Sequence, residues 1–232
     1  MYKREKIIAI TGAYNEEGKI GKVINKIPSY VDEIVAVDDG STDNTQEEIK
    51  KTKATLLINK KNMGAGFVLR KGMNYAIKKK YDIAVIVAGD NQDNPKEIVK
   101  LIKPITKGYD IVQGSRYLNG IKDIPLFRKV TTKLFSLFFR FITGYTLTDA
   151  SNGFRAYKVS FLKKINFSAE WLNKYELEPY MLIQAIKKGY KIKEVPVSKY
   201  YNEKDGYSKM KPIIDWWRIC RPLIRRYRWM YF

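Results

Sequence analysis

Two runs of oxygen-bearing side chains could do chemistry: Asp38-Asp39-Gly40-Ser41-Thr42-Asp43 and Asp90-Asn91-Gln92-Asp93. Adjacent carboxylates repel unless cations or hydrogen-bond donors meet them. In the first run a carboxylate can accept from a nucleobase or a ribose hydroxyl. The same residue types also make an ordinary turn and helix cap. In the second run, oxygens one or two residues apart suit Mg²⁺ or Mn²⁺ bridging a pyrophosphate, and equally a polar helix entry. The glycines of Asn62-Met63-Gly64-Ala65-Gly66 let backbone approach a phosphate, or simply turn the chain.

Each run follows an apolar strand. Residues 7–11, 34–37, 55–58, 83–88 and 110–113 read as strands, separated by helical stretches. Near-continuous apolar strands alternating with helices predict a mostly parallel α/β sheet covered on both faces. The polar runs then fall at the carboxyl edge, where open α/β sheets bind ligands. Asn94-Pro95-Lys96-Glu97 predicts a helix start, with a cap, Pro at the first position and Glu at the third. Beyond residue 116 the pattern loosens to a helix at 127–142, a strand near 154–157, a helix at 175–188 and a strand at 190–198. No Gly/Ser/Pro-rich linker interrupts it. One domain over 1–232 is expected, with halves at 1–115 and 116–210 and a tail at 211–232.

Composition excludes several chemistries. The 232 residues contain no histidine, which removes histidine bases, triads and metal sites. Cys220 is the lone cysteine, so neither an internal disulfide nor a cysteine metal cluster can form. The net charge of +20 suits polyanionic partners. The N-terminus lacks the apolar stretch of a signal peptide, and no run reaches the ~18 apolar residues of a membrane span; a cytoplasmic location is expected. Helix 127–142 spaces Phe127, Val130, Leu134, Phe138 and Phe141 helically, and Phe135, Leu137, Phe139 and Ile142 widen the apolar surface beyond one stripe. Such a helix suits a membrane interface or a partner helix in a homo-oligomer. The tail carries Lys211, Arg218, Arg221, Arg225, Arg226 and Arg228 against Asp215, interleaved with Trp216, Trp217, Tyr227, Trp229, Tyr231 and Phe232. Cations among aromatics favour the headgroup zone of an anionic membrane surface, so peripheral attachment is expected. They also occur in single-strand binders, but the acidic strand-end loops would repel a nucleic-acid backbone, and no nucleic-acid partner is expected.

Further pieces fall in a recognisable order: Ala13-Tyr14-Asn15-Glu16, Val37 to Asp43, Asn62-Met63-Gly64, Gly89-Asp90-Asn91-Gln92, Gly114-Ser115-Arg116, Asp149 with Asn152-Gly153-Phe154-Arg155, Glu194-Val195-Pro196-Val197 and Gly206-Tyr207-Ser208-Lys209. The series spans most of the chain. It resembles the inverting family 2 glycosyltransferases of GT-A (Rossmann-like) fold, in the branch of dolichyl-phosphate mannose and polyprenyl-phosphate sugar synthases. The resemblance implies transfer of a sugar from a GDP- or UDP-sugar to a polyprenyl or dolichyl phosphate, with a divalent metal. The first half would then bind the nucleotide sugar and the second the acceptor. Gly12, Tyr14, Glu16, Val37, Asp38 and Asp39 would line the nucleoside pocket. Asp90 and Gln92 would hold the metal and diphosphate. Arg116 and Lys209 would face phosphates, and Arg128 with Thr132 would hold the acceptor phosphate. Asp90, Arg116 and Asp149 would be catalytic.

Three positions depart from the family pattern. Gly12 replaces its Pro, Ala88 replaces the first Asp of its Asp-x-Asp motif, and Glu203 replaces an Arg. A lipid phosphate is already a nucleophile near neutral pH, so positioning and charge stabilisation would suffice without histidine. A glycan or glycolipid hydroxyl acceptor would need a base, and Asp149 is its first candidate. The same Asp149 could instead cap its loop or pair with Arg155.

Overall fold

The computed structural model describes residues 5–118, 124–201 and 214–228. They form a seven-stranded sheet in the order β3-β2-β1-β4-β6-β5-β7. Strands β1 (Ile7–Ala13), β2 (Glu33–Asp38), β3 (Thr55–Ile58) and β4 (Ile83–Ala88) run parallel. β5 (Ile111–Ser115) and β7 (Ile192–Pro196) are parallel to each other. β6 (Arg155–Lys158) is antiparallel to both of its neighbours, β4 and β5. The expectation of a mostly parallel sheet holds; β6 is the exception that the loosened pattern after residue 116 had hidden.

The strands are apolar throughout because each face is covered. Ile8 and Ile10 of β1 point into a cluster with Met73 and Ala76 of α3 (Ala65–Lys78). Ile7 and Ala9 point the other way, toward Ile20, Val23 and Ile24 of α1 (Ile20–Asn25) and Leu101 and Ile102 of α4 (Ile98–Ile105). Burying each Ile, Val, Leu or Met among them stabilises the fold by about 1.5–3 kcal/mol. A short helix, α2 (Thr45–Lys50), covers β2 and β3. The predicted start of α4 is present in part. The Asn94 side chain accepts from Lys96 N at 3.2 Å, and Pro95–Glu97 form a 3₁₀ turn before α4. Glu97 does not return to the cap; its carboxylate accepts from Ser198 N at 2.6 Å, which ties the helix start to the segment after β7.

Helix α5 (Leu126–Thr143) ends on Gly144, whose left-handed backbone (φ 70°) closes the last turn. Its buried face is Phe135, Ser136, Phe139 and Thr143. The regularly spaced Phe127, Val130, Leu134 and Phe141 lie on the opposite, exposed face, with Phe141 81% exposed. Spacing identifies a stripe but not which side of the helix meets the core. The short α6 (Val159–Leu162) leads through a 3₁₀ turn at Glu170–Leu172 to α7 (Leu177–Lys187). Of the tail, Ile214–Arg228 forms α8. Its Leu223 is fully buried, and Trp216 meets Phe135 edge-on at 6.3 Å between ring centroids. Arg221 and Arg225 lie over the Trp171 ring at 5.5 and 4.4 Å. The described part of the tail is docked on the protein, leaving Ile214 and Trp217 among its exposed apolar residues. Among the described residues, no helix is long and apolar enough to cross a membrane.

Candidate active site

A cleft of about 760 Å³ opens at the carboxyl ends of β1, β2 and β4. Gly12, Tyr14, Glu16, Asp39, Asp90 and Gln92 all border it. These are six of the nine residues expected to bind the nucleotide sugar. Lys209 lies outside the described residues, as do Glu203 and the rest of the Gly206–Lys209 motif.

Val37 and Asp38 lie apart from these six. Both are fully buried and neither lines the cleft. Asp38 turns into its own loop, where Oδ2 accepts from Gly40 N (3.2 Å), Ser41 N (3.1 Å) and Gln46 Nε2 (2.7 Å), and Oδ1 accepts from the Ser41 hydroxyl. The turn reading fits Asp38. Its neighbour Asp39 borders the cleft and also builds it. Its Oδ1 accepts from Asn59 Nδ2 (2.8 Å) and Met63 N (2.9 Å), and its Oδ2 from Gly64 N (2.7 Å). A carboxylate has about four lone-pair sites, so Asp39 can hold this loop and still accept from a ligand.

The loop after β4 divides in the same way. Asp93 is buried: Oδ2 accepts from Ala88 N at 3.1 Å, and Oδ1 pairs with Lys199 Nζ at 2.9 Å. Burial by itself would lower the pKa of the Lys199 ammonium, but Asp93, with Asp90 nearby, holds it above the ordinary lysine range. Asp90 faces the cleft, and its Oδ1 accepts from Gln92 N at 3.0 Å. Asn91 between them has φ 61°, a left-handed conformation that Asn tolerates and that folds the loop back on itself.

The glycines of residues 62–66 meet protein. A Cβ on Gly64 would strike the Lys174 side chain and the Asn173 carbonyl; one on Gly66 would strike the carbonyls of Leu172 and Lys174. Segment 172–174 lies directly on the first turn of α3, and Phe67 N donates to Asn173 O at 3.0 Å. This contact brings Lys174, Tyr175 and Glu178 to the cleft, while α8 adds Asp215 and Arg218. Sequence reasoning missed these five residues. They stand more than 80 residues from the strand-end loops they face, in no motif. Burial pushes the Tyr175 phenol up to about 12, aided by Asp215 and Glu178, so it stays protonated at neutral pH.

The second group of expected residues gathers beyond β5. Arg116 Nε and Nη2 grip Asp149 Oδ2 and Oδ1 at 2.6 and 2.7 Å, and Arg116 N also donates to Oδ2 at 3.1 Å. Asp149 has no exposed surface, and Ser151 adds a hydrogen bond at 3.2 Å. Glu194 anchors the same loop, accepting from Thr148 N at 2.7 Å and Asp149 N at 2.9 Å. Burial raises the Glu194 pKa, and these donors only partly oppose it. Asp149, the base candidate of the sequence, is the buried partner of Arg116. It does not pair with Arg155, which lies 3.7 Å from Glu178. Burial acts to lower the Arg116 pKa, but the Asp149 ion pair outweighs it and raises the guanidinium above its ordinary range.

Arg116 itself is almost covered, with a side-chain exposure of 8%. Its Nη1 donates to the Tyr201 hydroxyl at 3.0 Å, and Arg128 lies over the Tyr201 ring at 5.3 Å. Thr132 bonds the Tyr117 hydroxyl and the Arg128 carbonyl, and Lys133 sits 5.7 Å over the Tyr117 ring. Arg116, Arg128 and Thr132 thus come together through two tyrosines that no motif marked. Arg116 holds this cluster from beneath, while half-buried Arg128 and exposed Lys133 form its outer charge.

Comparison with known proteins places this architecture. The dolichyl-phosphate hexose transferase of Haloferax volcanii is 31% identical over 97% of this chain and 95% of its own length. The UDP-N-acetylglucosamine–dolichyl-phosphate N-acetylglucosaminyltransferase of Methanococcus voltae is 34% identical over 85% of this chain and 86% of its own. Among solved structures, glucosyl-3-phosphoglycerate synthase from Mycobacterium tuberculosis, in complex with Mn²⁺, UDP-glucose and phosphoglyceric acid, superposes with a TM-score of 0.74 at 20% identity, covering 96% of this chain and 80% of that one. That likeness establishes the GT-A fold. The family model for glycosyl transferase family 2 matches residues 8–166, from the first strand through the cleft loops and past the Arg116–Asp149 pair, and the chain belongs to that family as a glycosyltransferase.

Proposed function

We propose that the protein transfers a sugar, with inversion, from a GDP- or UDP-sugar to a polyprenyl or dolichyl phosphate at a membrane surface. One observation carries the acceptor reading: Asp149, the first base candidate for a hydroxyl acceptor, is sealed against Arg116, while Arg128 and Lys133 gather beside the exposed apolar face of α5. A phosphate monoester brings its own nucleophilic oxygen and needs cations to position it. The names of the Haloferax and Methanococcus relatives point to the same acceptor class.

In this reading residues 1–115 hold the donor and residues 116–210 the acceptor, within one domain. Tyr14, Glu16 and Asp39 contact the nucleoside. Arg128 and Thr132 receive the lipid phosphate, and Arg116 positions Arg128 through Tyr201. The apolar face of α5, flanked by Lys129, Lys133 and Arg140, rests on anionic lipid at the cytoplasmic side, so attachment is peripheral.

The site suits a divalent ion that arrives with the nucleotide. Among the described residues, no group of three or more acidic or cysteine side chains is placed to cage a metal. Asp90 and Gln92 can supply one carboxylate and one amide, and Mg²⁺ commonly uses one or two carboxylates plus substrate phosphates. Bound there, Mg²⁺ or Mn²⁺ would neutralise charge on the departing diphosphate. The test is a panel of labelled nucleotide sugars incubated with polyprenyl phosphate. One sugar should appear in the lipid extract, and label from none of them overturns the proposal.

A further inference from the structure

We propose that Lys174 is a donor-binding residue whose ammonium meets the diphosphate of the nucleotide sugar, and that Arg70 is the positioning residue that holds it there. This rests on the reading of the cleft as a nucleotide-sugar site. It adds a residue from the second half of the chain, outside every motif.

The charges bordering the cleft single out Lys174. Among the described residues its cations are Lys19, Lys174 and Arg218, set against Glu16, Asp39, Asp90, Glu178 and Asp215. Lys19 pairs with Glu16 at 3.3 Å, and Arg218 with Asp215 at 2.7 Å. Lys174 instead donates to the neutral amide oxygen of Asn62 at 3.3 Å, and no described carboxylate stands within 4.0 Å of its ammonium. A cleft richer in carboxylates than in cations repels a diphosphate unless a cation remains whose field is not already cancelled. Lys174 supplies that cation at the edge built by Asn62 and Gly64. A lysine so placed binds phosphate as a point charge with three donors.

The surrounding chain fixes where that charge sits. The Lys174 stem lies across Gly64, in space any other residue would fill, and Gly64 has φ 105°. Behind it, Arg70 of α3 is 8% exposed. Its Nη1 donates to the carbonyls of Phe167 (3.3 Å), Ser168 (2.8 Å) and Ala169 (2.9 Å), and its Nη2 bonds the Asn173 side chain. One guanidinium thus gathers the segment at both ends, and Phe67 N closes it onto α3 through Asn173 O. Burial lowers the Arg70 pKa, but a guanidinium stays charged at any pH a folded protein meets.

The experiment measures binding of a nucleoside diphosphate, and of the matching nucleoside, to the full chain with Mg²⁺ present. UDP with uridine and GDP with guanosine are the probes. Lys174→Gln should weaken the diphosphate about tenfold or more and leave the nucleoside unchanged, as expected for loss of one charge-assisted contact. Arg70→Lys, which keeps the charge but not the fork, should weaken the diphosphate in the wild-type background and add nothing in the Lys174→Gln background. A thermal melt of each variant separates loss of fold from loss of position. Unchanged diphosphate affinity in Lys174→Gln overturns the inference and leaves the transfer reaction intact. Equal losses for nucleoside and diphosphate place Lys174 at the base and also overturn it. Additive losses in the double variant remove Arg70 from the argument. A wild-type chain that binds neither diphosphate removes the donor reading together with this one.

Discussion

The loops after β2 and β4 carry nearly the same chemistry in sequence and divide it alike. In each, one carboxylate is buried and holds the loop: Asp38 accepts from Gly40 N, Ser41 N and Gln46, and Asp93 pairs with Lys199. In each, the other borders the cleft: Asp39 after β2, Asp90 after β4. The two cleft carboxylates differ in what they already hold. Asp39 accepts three protein hydrogen bonds, two of them from the backbone of residues 63–64, whereas Asp90 accepts from Gln92 N. Asp39 is therefore largely committed to the cleft wall, and Asp90 is the carboxylate with capacity to spare. Each pair thus supplies one carboxylate that holds its loop and one that borders the cleft.

The largest effect should come from the scaffold. Asp93→Asn leaves Lys199 buried without its counter-charge, a loss of about 3–5 kcal/mol of stability by analogy with other broken buried pairs. Urea denaturation measures it, and a variant within 1 kcal/mol of wild type would show the pair to be dispensable. The pH dependence has a definite sign. Because Asp93 raises the folded pKa of Lys199, the pair's contribution is full below the ordinary lysine pKa and is lost as pH climbs through the raised one. It should be undiminished at neutral pH and fade only in strong alkali.

Asp90→Asn should do the reverse, leaving the melt near wild type while transfer falls about 10²–10³-fold, the scale for losing one charge-stabilising group. EDTA should imitate it in wild type, because in the proposed reaction Asp90 holds the metal that meets the diphosphate. Equal transfer in EDTA would leave the loop acting through hydrogen bonds alone.

These contrasts also mark what the sequence made legible. Strand positions, the carboxyl-edge cleft and the acidic loops followed from apolar runs ending in polar turns, because strands covered on both faces have no choice but to be apolar. The resemblance singled out Asp90 over Asp93, but nothing local showed that Asp38 turns away from the cleft or that Asp93 is held by Lys199, over 100 residues away. The antiparallel β6, the docking of α8 and the cleft wall at Lys174 and Glu178 were hidden for the same reason. They are set by packing between distant segments and leave no local period. Gly64 and Gly66 were visible as glycines, but what they accommodate is the chain at 172–174.

On the acceptor side the effects should be smaller. Arg128→Ala should raise the KM for polyprenyl phosphate about tenfold while nucleotide affinity stays unchanged. Unchanged acceptor kinetics would move that site elsewhere. The smallest effect should come from α5. Leu134→Ser with Phe141→Ser removes apolar surface from side chains 60% and 81% exposed, so the fold should keep its stability. Sedimentation with anionic vesicles should weaken severalfold, and more so in high salt, where the basic flank is screened. Full retention on vesicles would assign that face to a protein partner.

The central claim is that the acceptor is a phosphate, and it is tested most directly by offering the purified protein matched lipids. Polyprenyl phosphate and the polyprenol of the same length, each with the preferred nucleotide sugar, differ only in the group that attacks. The account predicts label in the lipid extract with the phosphate and none with the alcohol, because Asp149, the first candidate to activate a hydroxyl, is sealed against Arg116. Equal labelling of the alcohol, or labelling of the alcohol alone, would contradict it.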